Sequence, residues 1–237
     1  MIEKYDFTKG LKAGIPIGLG YLSVSFAFGM MAISLGLTPF EAILISASNL
    51  TSEGQFAGIQ LIASQGTYME IIFTTLTINL RYALMSLSLS MKIDEKLSSL
   101  QRMLCSFSVT DEIFAMAVMK DKITGSYFFG LSLTPFIGWT TGTAFGALFS
   151  SLLPDSVSSA MNIALYCMFI AIVLPQAREE RNKMIAMLLS AGCSIGLTYL
   201  PIFSFLTSGW RIIVITILVS AFMAWKYPVE VKHESDD

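Results

Sequence analysis

The chain alternates between long uncharged windows and short charged clusters. Lys12 to Glu41 encloses 28 uncharged residues, Lys122 to Asp155 encloses 32, Asp155 to Arg178 encloses 22 and Lys183 to Arg211 encloses 27. A helix needs about 20 apolar residues to cross the hydrocarbon core of a bilayer, so each window is long enough to span. Residues 207–226 form a further window if Arg211 and Lys226 extend to opposite interfaces. Three more windows are apolar but charged at their centres: 42–69 contains Glu53, 71–91 contains Arg81, and 103–119 contains Asp111 and Glu112. The pattern predicts an all-α fold, a polytopic integral membrane helix bundle of about seven to eight hydrophobic segments, as one transmembrane domain over residues 1–237.

The charged clusters set the topology. Lys4, Lys9 and Lys12 precede the first segment and favour a cytoplasmic N-terminus, with residues 1–12 inside and the tail 228–237 also cytoplasmic. The first segment is too long for a cleaved signal peptide and lacks a small-residue cleavage site. If every segment spans, the loop carrying Lys92, Lys96 and Arg102 falls outside, against the positive-inside rule. If segments 2 and 4 are re-entrant, that loop falls inside. Both arrangements give N-in and C-in.

Composition agrees with a membrane protein. Of 237 residues, 54% are hydrophobic and 14% charged, with a mean hydropathy of +0.67; soluble domains average about 25% charged. A net charge of −2 without a basic stripe excludes nucleic-acid binding. The single histidine, His233, lies in the tail, which removes a histidine metal site, a Ser–His protease and the usual haem or quinone ligands. Only Asp111 among aspartates is deep in a segment, so a diaspartyl protease is excluded, and no lysine is mid-span for a retinal. The expectation is a non-enzyme without metal or cofactor. Cys105, Cys167 and Cys193 are widely spaced and read as packed small hydrophobes.

Glycines at helical spacing mark close helix packing: Gly14 and Gly18; Gly138, Gly142 and Gly146; Gly192 and Gly196. Ala27-Phe28-Gly29 recurs as Ala144-Phe145-Gly146, a possible internal repeat of the kind transporters use. Pro16, Pro135, Pro175 and Pro201 are expected to end or kink helices.

The mid-segment charges carry the functional expectation. A charge at bilayer depth costs at least about 2.5–3.5 kcal/mol, and persists when paired or hydrated. Glu53, Arg81, Asp111 and Glu112 all lie in the first half, so segments 2, 3 and 4 form the expected functional core. A structural ion pair such as Arg81 with Asp111 is compatible with that role. Asn49-Leu-Thr-Ser-Glu-Gly-Gln55 interrupts an apolar window and predicts a broken or re-entrant helix near 49–55. A half-helix beginning near Gly54 would aim its N–H groups at mid-membrane and suit a carboxylate. Asn79 and Arg81 point about 200° apart on a helix, whereas Asn79, Tyr82 and Ser86 share a face. Thr110 is placed to cap a helix starting at Asp111. Transport is the class these features leave, with a channel or a scaffold subunit as the competing readings.

Phe28-Gly29, Gly-Gln-Phe-Ala-Gly at 54–58, Asn-Leu-Arg-Tyr at 79–82 with Leu84-Met85, Thr-Asp-Glu at 110–112, Gly138-Trp139-Thr140 to Gly146 and Leu153-Pro154-Asp155 resemble the AzlC family over residues 10 to 225. The resemblance implies a permease of the bacterial inner membrane that works with a small AzlD-type membrane subunit. It implies export of leucine, isoleucine and valine, or a related amino acid such as methionine, driven by the proton gradient. Where that family carries a small residue before Gly-Gln, this chain has Glu53, an additional acid. With an amino-acid substrate, the expected binding residues are Asn49, Ser52, Gly54, Gln55, Asn79 and Arg81. Arg81 or the helix start at Gly54-Gln55 would receive the carboxylate. Glu53, Asp111 and Glu112 are the candidates for proton coupling or charge relay, with Asp111 or Glu112 taking the ammonium or the proton.

Overall fold

The computed structural model describes residues 2–94, 97–150, 167, 170, 174–175, 177–203 and 205–228. The sixth expected segment (156–177), the Leu153-Pro154-Asp155 motif and the tail beyond residue 228 lie almost wholly outside the described residues. The described part is helical, without a strand. It forms two compact units, residues 1–65 with 78–163, and residues 66–77 with 164–237.

In the first unit, α1 (Ile2–Ser34) and α7 (Gly125–Phe149) form the central pair. Their glycines explain the closeness. A Cβ added at Gly138 would meet the Gly18 carbonyl, one at Gly142 the Leu22 carbonyl, and one at Gly146 the Phe26 carbonyl. From the other side, Gly10, Gly14 and Gly18 face Tyr127, Leu131 and Thr134, and Gly29 faces Thr143. The register advances in the same direction on both helices, so α1 and α7 run parallel, backbone against backbone. The Ala-Phe-Gly match joins the two sides of this one interface, because Gly29 and Gly146 both lie in it. Pro16 and Pro135 lie inside α1 and α7, and neither ends its helix.

The turn after α1 uses Gly36 at φ +90°, a conformation costly for other residues. Then α2 (Pro39–Ser48) starts on a capping box, with Thr38 and Glu41 exchanging side-chain-to-backbone bonds. It descends along α7: Ser46 bonds Thr143, and Leu50 packs on Tyr21 and Trp139. At residues 49–52 the chain reverses. In α3 (Glu53–Ala63), Gln55 reaches back to Ser46, and Phe56 stacks edge-on against Phe28, two turns beyond Tyr21. Segment 2 is therefore a helical hairpin that returns to the face it entered from.

The second hairpin enters from the opposite face. After α4 (Tyr68–Ser90), Ile93 bridges Ile123 beside the start of α7, where Thr124 also bonds Asp6 of α1. Ser98 and Gln101 form the capping box of α5 (Ser99–Phe107). This helix rises until Ser108 bonds Ser132 and Phe107 meets Phe136. Thr110 caps α6 (Asp111–Val118), which runs back until the Val118 carbonyl accepts from Lys92 Nζ. Leu89, Ile93, Cys105, Val109, Ile113, Ala117, Ile123, Phe128 and Leu131 bury one another there.

Segments 2 and 4 both fold as helical hairpins, the arrangement in which the charge conflict of eight spanning segments does not arise. Lys92, Arg102, Lys120 and Lys122 all lie on the face where α1 begins. Among the described residues, three helices are long and apolar enough to cross a membrane by length and composition: Tyr5–Ser34, Tyr68–Ser90 and Ser208–Lys226.

In the second unit, α8 (Arg181–Tyr199) and α9 (Ser208–Lys226) pack together through a three-residue 3-10 turn at Pro201–Phe203. The first residues of α4 meet the start of α9: Thr74 bonds the Gly209 carbonyl, and Phe73 stacks near Trp210. Glu70, 3% exposed, accepts from Thr67 and Thr207. Gly192 and Gly196 do not repeat the α1–α7 contact, since Gly192 has open space and Gly196 only the tip of Leu200 nearby. Of the cysteines only Cys105 is packed; Cys167 and Cys193 are exposed.

Candidate functional site

The hairpin tips meet midway along α1, beside Tyr21, and Arg81 of α4 lies between them. Its Nη2 is 2.7 Å from Glu53 Oε2, at the first residue of α3. Its Nη1 is 2.9 Å from Asp111 Oδ2, at the first residue of α6. One guanidinium thus holds both hairpins by the residue with which each second limb begins. The three side chains are 35–48% exposed, so the cluster is open rather than sealed.

Tyr82 completes the cation's surroundings. Arg81 donates to its hydroxyl at 3.1 Å, and the guanidinium lies 5.0 Å from its ring centroid. The Tyr82 hydroxyl in turn donates to the Thr51 carbonyl at 3.4 Å. Asn79 approaches the same tip, its amide filling the space beside Gly54. Asn79 and Arg81 diverge on the helix as expected, and the length of the arginine brings its head back to the same tip.

Each sequence-predicted residue has a definite place. Asn49 shapes the tip by accepting from the Thr51 N–H and hydroxyl. Ser52 is held at φ 45°, a strained position for a residue with a side chain. The helix start is Glu53, one residue before the expected Gly54. Its N–H groups are less open than expected, because Gly54 and Gln55 donate to the carbonyls of Thr51 and Ser52. Gln55, 2% exposed, faces away from Arg81 and joins Ser46 and Thr143 in a buried chain. Glu112 is separate from Arg81: its Oε2 accepts from the Tyr21 hydroxyl at 2.5 Å, and that hydroxyl is 2.6 Å from Thr110 Oγ1.

Tyr21 was not visible as a site residue in the sequence. It sits in the uncharged stretch of α1 after Lys12, where a tyrosine reads as packing. The available signal was its mid-helix position, since a buried tyrosine hydroxyl needs a partner. Among the described residues no group of three potential ligands is placed to hold a metal.

Comparison with known proteins fits this architecture. The family model described as AzlC protein matches residues 16–153, the region holding both hairpins and Arg81. Inner membrane protein YgaZ of Escherichia coli is 26% identical, with 91% of each chain covered. An uncharacterized membrane protein of Archaeoglobus fulgidus is 30% identical over 75% of this chain and 78% of its own. The Bacillus subtilis branched-chain amino acid transport protein AzlC is 23% identical over 71% of this chain and 66% of its own. No solved structure matches. Matched across both hairpins and the helix that carries their shared arginine, the chain is a multi-pass membrane protein of the AzlC family.

Proposed function

We propose that this protein is a secondary-transport permease that exports branched-chain amino acids across the bacterial inner membrane, coupled to protons and working with a small AzlD-type subunit. The substrates are leucine, isoleucine, valine or a related amino acid such as methionine. The observation that carries this reading is the single guanidinium of Arg81 shared by Glu53 and Asp111 at the tips of two opposed hairpins.

An amino acid zwitterion presents one carboxylate and one ammonium. Its carboxylate competes with Glu53 or Asp111 for Arg81, and the released acid is then free to accept the ammonium or a proton. Asn79 Oδ1, buried without a hydrogen-bond partner, supplies a further acceptor beside Gly54. Substrate binding in this scheme loosens the contact between the hairpins, so occupancy and conformational change are linked. Apolar residues of α1 and α7 would line the side-chain pocket. The basic residues gathered on the face where α1 begins support a cytoplasmic N-terminus.

Counterflow of labelled leucine in proteoliposomes, with and without the small subunit, tests the reading. Saturable, proton-dependent exchange is expected. Non-saturating flux independent of pH would mean a channel. No flux by the chain under either condition, with a partner active on its own, would mean a scaffold.

A further inference from the structure

Two stretches of the chain share a plan that their sequences barely show. α1 runs to the far face and is followed by a hairpin entering from that face. From residue 78 onward α4 runs to the near face, where α1 begins, and is followed by a hairpin entering from there. Opposite direction with the same order is an inverted repeat. Thr51 and Thr110 occupy the two tips, and Glu53 and Asp111 begin the two second limbs, in each case about 60 residues apart. Tyr21 and Tyr82 are about 60 residues apart on the two long helices.

The tyrosine contacts cross over. Tyr21 of the first stretch bonds the second hairpin at Thr110 Oγ1 and Glu112 Oε2, at 2.6 and 2.5 Å. Tyr82 of the second stretch bonds the first hairpin at the Thr51 carbonyl, at 3.4 Å. Each hairpin lies between the Arg81 cluster and the face from which it enters. We propose that α1–α3 and α4–α6 are an inverted pair, and that Tyr21 and Tyr82 are latches for gates at opposite faces. Tyr21 holds the near-face hairpin closed, and Tyr82 holds the far-face hairpin closed.

This rests on the transport reading and supplies its alternating access. The tyrosines are positioning residues, since they act through the hairpins. The pair is unequal. Arg81 precedes Tyr82, whereas Gly20, with open space beside it, precedes Tyr21. One cation therefore serves both tips, and breaking a single tyrosine contact loosens that hairpin while both tips keep their Arg81 contact.

The test reads access rather than export. In the full-length protein with Cys105 replaced by Ala and Cys167 and Cys193 by Ser, Ser52→Cys reports on the central cluster. A membrane-impermeant maleimide is applied to right-side-out and inside-out vesicles. Tyr21→Phe is expected to raise labelling several-fold from the near face alone, and Tyr82→Phe from the far face alone, as loss of about one hydrogen bond allows. Glu112→Gln, which keeps the shape of the side chain, should act on the same side as Tyr21→Phe, more weakly. A gain from both faces, from the same face for both tyrosines, or from neither overturns the proposal. Elution of each variant as a single species in detergent checks folding. Side-specific labelling, with no leucine counterflow by the unmodified protein, would keep the gates and reject the substrate. Leucine counterflow by the unmodified protein, without side-specific labelling of the cysteine variants, would reject the gates alone.

Discussion

Asn79 fills the space that a side chain on residue 54 would take: a Cβ at Gly54 would lie 2.7 Å from both Nδ2 and Oδ1 of Asn79. The glycine is thus what lets α4 touch the first hairpin at the depth of Arg81. Gly54→Ala should displace the Asn79 amide, at about 1–3 kcal/mol of overpacking. Counterflow is expected to fall while the protein still reaches the membrane, and Asn79→Ala in the same chain should restore part of the lost stability in a thermal melt.

Arg81 bridges two acids with two nitrogens of one planar group, which a lysine ammonium cannot reproduce. Arg81→Lys and Arg81→Ala should both cut the initial rate of counterflow by about tenfold or more, as expected for losing a group that holds the substrate. Expression should be retained, because the cluster is open enough for the released Glu53 and Asp111 to be hydrated. Undiminished exchange in Arg81→Ala would remove the arginine from the site.

The glycine pairs that look alike in sequence should separate in stability. Gly142→Leu pushes a side chain into the Leu22 carbonyl and Ser25, and is expected to lower the melting temperature sharply or prevent accumulation. Gly192→Ala meets open space and should be neutral or stabilising by up to about 1 kcal/mol through helix propensity.

Glu70 links the start of α4 to the start of α9 through Thr67 and Thr207. Glu70→Ala removes the shared acceptor of Thr67 and Thr207, both themselves exposed, at about 0.5–1.5 kcal/mol per hydrogen bond lost. Limited proteolysis should then cut first near residues 200–207. The Thr207→Val variant should resemble it with a smaller effect.

Hydropathy revealed the helical class and most segments, because burial in lipid demands long uncharged runs. It reports length and not direction, so residues 42–69 look the same whether they cross or turn back. The reversal is decided by contacts such as Gln55 with Ser46 and Phe56 with Phe28, which no window of sequence records. Glu53, Arg81 and Asp111 were legible because charges are costly there. That they form one cluster was not, since the acids come from hairpins entering at opposite faces. The α1–α7 contact was half legible: glycine spacing marked the faces but not the pairing, and Gly192 with Gly196 carries the same mark without the contact.

The parallel pairing of α1 with α7 also bears on how the protein is made. Ninety residues of chain, from 35 to 124, are synthesised between the two helices. At roughly 5–20 residues per second, the glycine face of α1 therefore waits on the order of ten seconds for its partner. During that interval neither hairpin has its central support, and a charged tip would be stranded in lipid. Insertion of both hairpins is thus tied to the arrival of α7, and ribosome stalling before residue 125 should leave α2–α3 and α5–α6 accessible to protease.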